Sequence, residues 1–149
     1  MRSTSISSTS RKLLYDVRTY LQETDDRRVV LVGPSARTWY VDQYLMRYVL
    51  VALARCNPTI VSGGKFPFDM HVEEACELND IEWVPAYTKS AKKRLFKEYV
   101  RPASTWFDCD LIVAFPHGND LDSADPMVEC VAVPKLVVPR EGEWSLEWD

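Results

Sequence analysis

The chain has 149 residues, 46% of them hydrophobic, enough to fill one core and to predict a single globular domain. Its 18 basic and 22 acidic side chains leave a net charge of −4, so no general field draws nucleic acid or an anionic membrane, and an anion must be met by a local cluster. Four cysteines (Cys56, Cys76, Cys109, Cys130) without a C-x-x-C pair, beside only two histidines (His71, His117), argue against a zinc site.

Free cysteines in apolar or helical patterns behave as small hydrophobes, which suits a reducing, cytoplasmic compartment. The opening MRSTSISSTS lacks the apolar run of a signal peptide, and no later stretch has the length of a membrane span, so a soluble protein with no membrane partner is expected. Residues 1–9, rich in Ser and Thr, offer little to bury and read as a disordered tail.

A domain over residues 10–139 then begins with a helix at 10–23, capped by Ser10, whose Leu13, Leu14, Val17, Tyr20 and Leu21 form an apolar stripe. VVLVG (29–33) reads as the first core strand, ending at Gly33 and Pro34. Residues 40–56 are apolar almost all round, as in a helix packed on a sheet. TIVSGG gives a second strand. A helix from Phe68 to Asn79 follows, with Met70, Val72, Ala75, Cys76 and Leu78 available for packing.

IEWVPA (81–86) is a third strand, KSAKKRLFKEYV (89–100) a basic helix, and DLIVAFP (110–116) a fourth strand. A short helix at 125–132 and a strand KLVVP (135–139) complete the domain. Short apolar runs alternating with helices predict an α/β fold of Rossmann-like type, three layers α/β/α around a mainly parallel sheet of about five strands. The tail 140–149 carries Trp144 and Trp148 and either packs on the domain or docks on a partner subunit; indoles bury wherever they find a surface, which favours the first.

In such a sheet ligands bind beyond the carboxyl ends of the strands. The turns there supply Gly33, Ser35 and Arg37, then Gly63, Gly64, Lys65 and Asp69, and after the fourth strand His117, Gly118, Asn119, Asp120, Asp122 and Ser123. Glycine lets backbone amides approach an anion, a helix N-terminus adds partial positive charge, and Arg37 and Lys65 add full charges. A glycine at such a turn is as often only a backbone requirement. No G-x-G-x-x-G follows the first strand and no G-x-x-x-x-G-K-[ST] occurs, which disfavours dinucleotide dehydrogenases and P-loop enzymes. Neither histidine has a Ser or Cys partner in a triad pattern; His117, beside a glycine, is the better functional candidate, while His71 lies one turn into a helix and reads as a packing residue.

The pieces GPSARTWYVD (33–42), SGGKFPFD (62–69) and CDLIVAFPHGNDLDSAD (109–125), in that order, resemble the SLOG superfamily, the LOG/DprA-like Rossmann fold, and within it the small YspA/YpsA-like proteins. The resemblance covers residues 28–139 and implies a fold that binds nucleotides or nucleotide-derived ligands; the LOG enzymes cleave the N-glycosidic bond of nucleoside monophosphates. This chain departs from the pattern at Pro34 and Pro67, replaces P-G-G-x-G-T with a turn carrying Asp120, Asp122 and Asp125, and has Ala124 where the LOG glutamate is expected.

Three functions stay open. The first is binding of a nucleotide-like small molecule, as a sensor, at a site of Gly33, Ser35, Arg37, Gly63, Gly64, Lys65, His117, Gly118, Asn119 and Ser123. The second is N-glycosidic hydrolysis with Asp69, Asp120 or Asp125 as acid or base. The third is a degenerate interaction module without a ligand. No cofactor or metal is expected. Nucleic acid is disfavoured because the basic run 89–101 reads as a solvated face. A homo-oligomer is among the expected partners: the apolar face of the 40–56 helix, with Tyr44, Tyr48 and Leu50, suits a dimer as easily as a core.

Overall fold

A computed structural model describes residues 6–33, 40–62, 68–85, 109–116 and 133–148. The expected helices at 89–100 and 125–132 lie outside the described residues. The first helix, α1 (Ser8–Gln22), starts earlier than expected because Ser7 rather than Ser10 is its cap: the Ser7 hydroxyl accepts the Ser10 backbone N–H at 3.1 Å. Ser10 is buried in the first turn instead, and Ile6 packs against the core, so the expected disorder does not reach residues 6–9. In a run of serines and threonines the cap position is degenerate by residue type, and the burial of Leu14, Val17 and Leu21 sets the register.

Five parallel strands and one antiparallel strand form a single sheet. They are β1 (Arg28–Val32), β2 (Thr59–Ser62), β3 (Glu82–Pro85), β4 (Leu111–Ala114), β5 (Lys135–Val137) and β6 (Ser145–Glu147), in the order β3-β2-β1-β4-β5-β6. The α/β class and the mainly parallel sheet are as expected; the sixth strand is not. It comes from the tail, which returns beside β5 with Leu136 opposite Leu146. The strands are apolar on both faces, as parallel sheets require. Val29, Leu31, Ile60, Leu111 and Val113 face the main core, and Val30, Val32, Val61, Ile112 and Ala114 the other side.

Both crossovers inside the described residues are helical. Helix α2 (Tyr40–Leu53), extended by a 3-10 turn at Ala54–Cys56, links β1 to β2, and α3 (Phe68–Leu78) links β2 to β3. Three residues with left-handed backbone, Arg27 (φ 51°), Asn57 (φ 53°) and Asp80 (φ 55°), turn the chain into β1, β2 and β3 respectively. Arg27 also ties these amino ends together, its guanidinium donating to the Cys56 carbonyl at 2.8 Å.

The main core gathers Leu14, Val17 and Leu21 of α1, Leu45, Met46, Val49, Leu50 and Leu53 of α2, and Phe68, Val72, Ala75 and Cys76 of α3. Leu50 takes the core alternative, fully buried with nothing to offer a second subunit. One expectation fails here. Met70 and Leu78 are 60% and 75% exposed: at about 100° per residue Phe68, Val72, Ala75 and Cys76 make one stripe, and these two fall outside it.

The tail packs on the domain. Trp144 joins the main core at 8% exposure, and Trp148 meets the Tyr20 ring edge-to-face at 5.6 Å. Ahead of them Arg140 grips Asp42 on α2 through Nε–Oδ1 and Nη2–Oδ2 contacts of 2.8 and 2.9 Å.

Candidate functional site

The central strand β1 has β2 on one side and β4 on the other, so the chain leaves β1 toward β2 and leaves β4 toward β5. In open α/β sheets such a divergence marks the place, beyond the carboxyl ends of the two strands, where ligands bind. The ladder runs past the formal strand ends, with Phe115 N–H donating to the Val32 carbonyl and Val138 N–H to the Ala114 carbonyl, both at 2.8 Å. Gly33 follows Val32 and Phe115 follows Ala114 at this edge.

Gly33 has a local reason to be glycine. A Cβ there would overlap the Phe68 ring at the start of α3, and Phe68 in turn stacks obliquely on Phe115 at 5.4 Å between centroids. Two aromatic rings thus floor the edge beside β1 and β4. The close approach that sequence reasoning offers to a ligand is here taken by Phe68. Neither aromatic is among the expected site residues; Phe115, directly after the buried run LIVA, carries a readable signal, whereas Phe68, six positions after the end of β2, does not.

Asp69, expected as an acid or base, lies in the first turn of α3 at 7% exposure, and Asp42 occupies the first turn of α2 at 1%. A carboxylate near a helix N-terminus complements the partial positive charge there. Asp42, part of the quoted GPSARTWYVD stretch, is engaged by Arg140, so the cation just past β5 is committed within the protein. At the end of β2 the buried Ser62 hydroxyl accepts the Trp83 indole N–H at 2.8 Å. The other expected site residues, Ser35, Arg37, Gly63, Gly64, Lys65, His117, Gly118, Asn119, Asp120, Ser123 and Asp125, lie outside the described residues, as does Asp122.

Nucleophilic thiols do not emerge from the core. Burial pushes the Cys76 thiol up to about 12, with Glu73 adding to the effect, and burial also raises Cys56. Both are free and buried, as expected; Cys109 is half-buried, and Cys130 lies outside the described residues. His71 is half-exposed on the flank of α3, beside Glu73, Glu74 and Glu77, where the sequence predicted packing. Among the described residues no three His, Cys, Asp or Glu side chains are grouped to hold a metal ion, and no helix is long and apolar enough to cross a membrane.

A second concavity, of about 570 Å³, runs along the outer side of α2 against α1 and is lined by three tyrosines and three arginines. Tyr44 and Tyr48 are among the residues expected at an interface; Arg47 and Arg55 stand in the same stretch of sequence, whereas Arg18 joins them only because α1 lies alongside.

These features define an α/β protein with a Rossmann-like strand order whose topological switch point lies at β1 and β4. Comparisons of the chain with protein-family models, with curated proteins and with solved structures found no match.

Proposed function

We propose that the protein binds a nucleotide or nucleotide-derived ligand at the carboxyl edge of its sheet, as a sensor. The observation that carries this reading is the strand order: with β2 and β4 flanking β1, the connections diverge at Gly33 and Phe115, the place where this architecture receives ligands. The N-termini of α2 and α3 open toward the same edge because each helix follows a parallel strand, and their amides suit an anionic group. From the sequence comes the succession of turns GPSAR, SGGKFPFD and FPHGNDLDS on that edge, with its resemblance to SLOG proteins. Arg140 is engaged with Asp42, so Arg37 and Lys65 are the residues assigned to the ligand's charge.

The test is thermal stability against nucleotides, nucleosides, nicotinamide derivatives and cyclic nucleotides, for the wild type, Arg37→Ala and Gly64→Asp. A ligand at about a hundred times its Kd adds about 2.7 kcal/mol, visible as a rise in midpoint. The proposal expects a rise with at least one compound, abolished in both variants. A folded protein that no compound stabilises refutes it.

A further inference from the structure

Helices α2 and α3 carry two surfaces of opposite character that no described residue covers. On α2, Tyr40, Tyr44 and Tyr48 recur every four residues along one groove, Tyr40 exposed and Tyr44 and Tyr48 half-buried against the rim of the core, with Arg47 and Arg55 alongside and Arg18 of α1 also lining it. Among the described residues no carboxylate lines this groove. Arg27 and Arg140 are bonded within the protein, whereas the guanidinium groups of Arg18, Arg47 and Arg55 make no hydrogen bond or ion pair among the described residues. Three cations gathered without a described acid beside them, in a chain of net charge −4, suit a negative surface opposite them.

The neighbouring helix presents one. The outer flank of α3 exposes Glu73, Glu74 and Glu77 between the apolar Met70 and Leu78. Acids flanked by apolar side chains complement arginines flanked by tyrosines and the exposed Val51. The groove also has the composition of an interface centre: tyrosine and arginine are enriched there, and lysine and acids are depleted.

We infer that this helical face joins two copies of the chain, the Arg/Tyr groove of each receiving the acidic flank of α3 from the other. Helices α2 and α3 pack against each other over one core, so a two-fold axis between them makes both contacts at once, an isologous arrangement. Pairing through the sheet edges is disfavoured: β3 exposes Glu82 and Pro85, and β6 is only three residues long with Ser145 and Glu147 exposed. The inference is independent of any ligand at the carboxyl edge.

Sedimentation equilibrium of the full chain across a concentration series tests it. Twice the monomer mass is expected, with a Kd that rises with ionic strength. Arg47→Glu with Arg55→Glu, and separately Glu73→Lys with Glu77→Lys, are each expected to give the monomer mass with an unchanged circular dichroism spectrum. A chain carrying all four reversals is expected to regain the dimer, which no folding defect explains. A wild type that stays monomeric throughout overturns the inference, as does a dimer that both reversals leave intact. A monomer that binds a labelled oligonucleotide or an acidic peptide through Arg47 also overturns it.

Discussion

Asp42 and Arg140, 98 positions apart in sequence, face each other fork to fork, with Asp42 almost wholly withdrawn from water and only 9% of the Arg140 side chain exposed. Desolvation offsets much of the attraction in such a pair, so its worth shows when one partner is removed. Asp42→Ala strands a buried guanidinium and is expected to cost about 3–5 kcal/mol in urea unfolding. Asp42→Leu with Arg140→Met is expected to recover most of that loss. A single variant with a wild-type midpoint would show that the pair is solvated in solution.

Gly33 is set by space rather than by backbone angle. A methyl group there collides with Phe68, so Gly33→Ala is expected to cost about 1–3 kcal/mol through overpacking. In a Phe68→Leu background the same change should cost less, and a double-mutant cycle reads the difference as a coupling between the two positions. Strict additivity would disprove the contact.

The buried thiols predict an alkaline limit. The Cys76 value of about 12 stands above the ordinary 9.0, so the neutral thiol's contribution is fully present below pH 9 and is lost as pH rises from 9 toward 12. Thermal midpoints should fall across that window, and Cys76→Ala, though less stable at neutral pH, should fall less steeply. Cys56 and Tyr20, also raised by burial, act in the same direction and leave a residual slope. A thiol reagent should leave Cys56 and Cys76 unlabelled in the native protein and label both in denaturant.

Helix α3 ends in a Schellman motif built on Asp80: Ile81 N–H donates to the Cys76 carbonyl at 2.9 Å and Asp80 N–H to the Glu77 carbonyl at 3.4 Å. Asp80 holds a left-handed backbone that glycine adopts freely. Asp80→Gly is expected to raise stability by about 0.5 kcal/mol, the relief of strain exceeding glycine's larger entropy loss. The urea midpoint should rise with an unchanged m-value; a lowered midpoint would mean that the Asp80 side chain contributes more than its backbone costs.

Three of the four longer strands are legible because a strand buried on both faces must be a near-continuous run of large apolar residues, as VVLV, TIVS and LIVA are; EWVP, at the sheet edge with Glu82 and Pro85 exposed, is marked only by Trp83 and Val84. The tail strand SLE is not legible: an edge strand of three residues with polar ends has no periodicity, and only pairing with β5 creates it. Met70 and Leu78 misled because composition marks a residue as apolar without saying which side of the helix it occupies. At the site, position was readable and partnership was not. The turn after β1 was found from Gly33, but its engagement with Phe68 depends on a helix 35 positions later. Nothing near Asp42 in the sequence points to Arg140.

The contact of Tyr20 with Trp148, with α1 lying against β6, has a kinetic consequence. The amphipathic stripe of α1 finds its complete surface only when segments from opposite ends of the sheet's sequence have met, and long loops close slowly because their entropy is lost before contacts form. Docking of α1 is therefore expected late in folding, and a lag between protection of the strand amides and protection of the α1 amides in pulsed hydrogen exchange would time it.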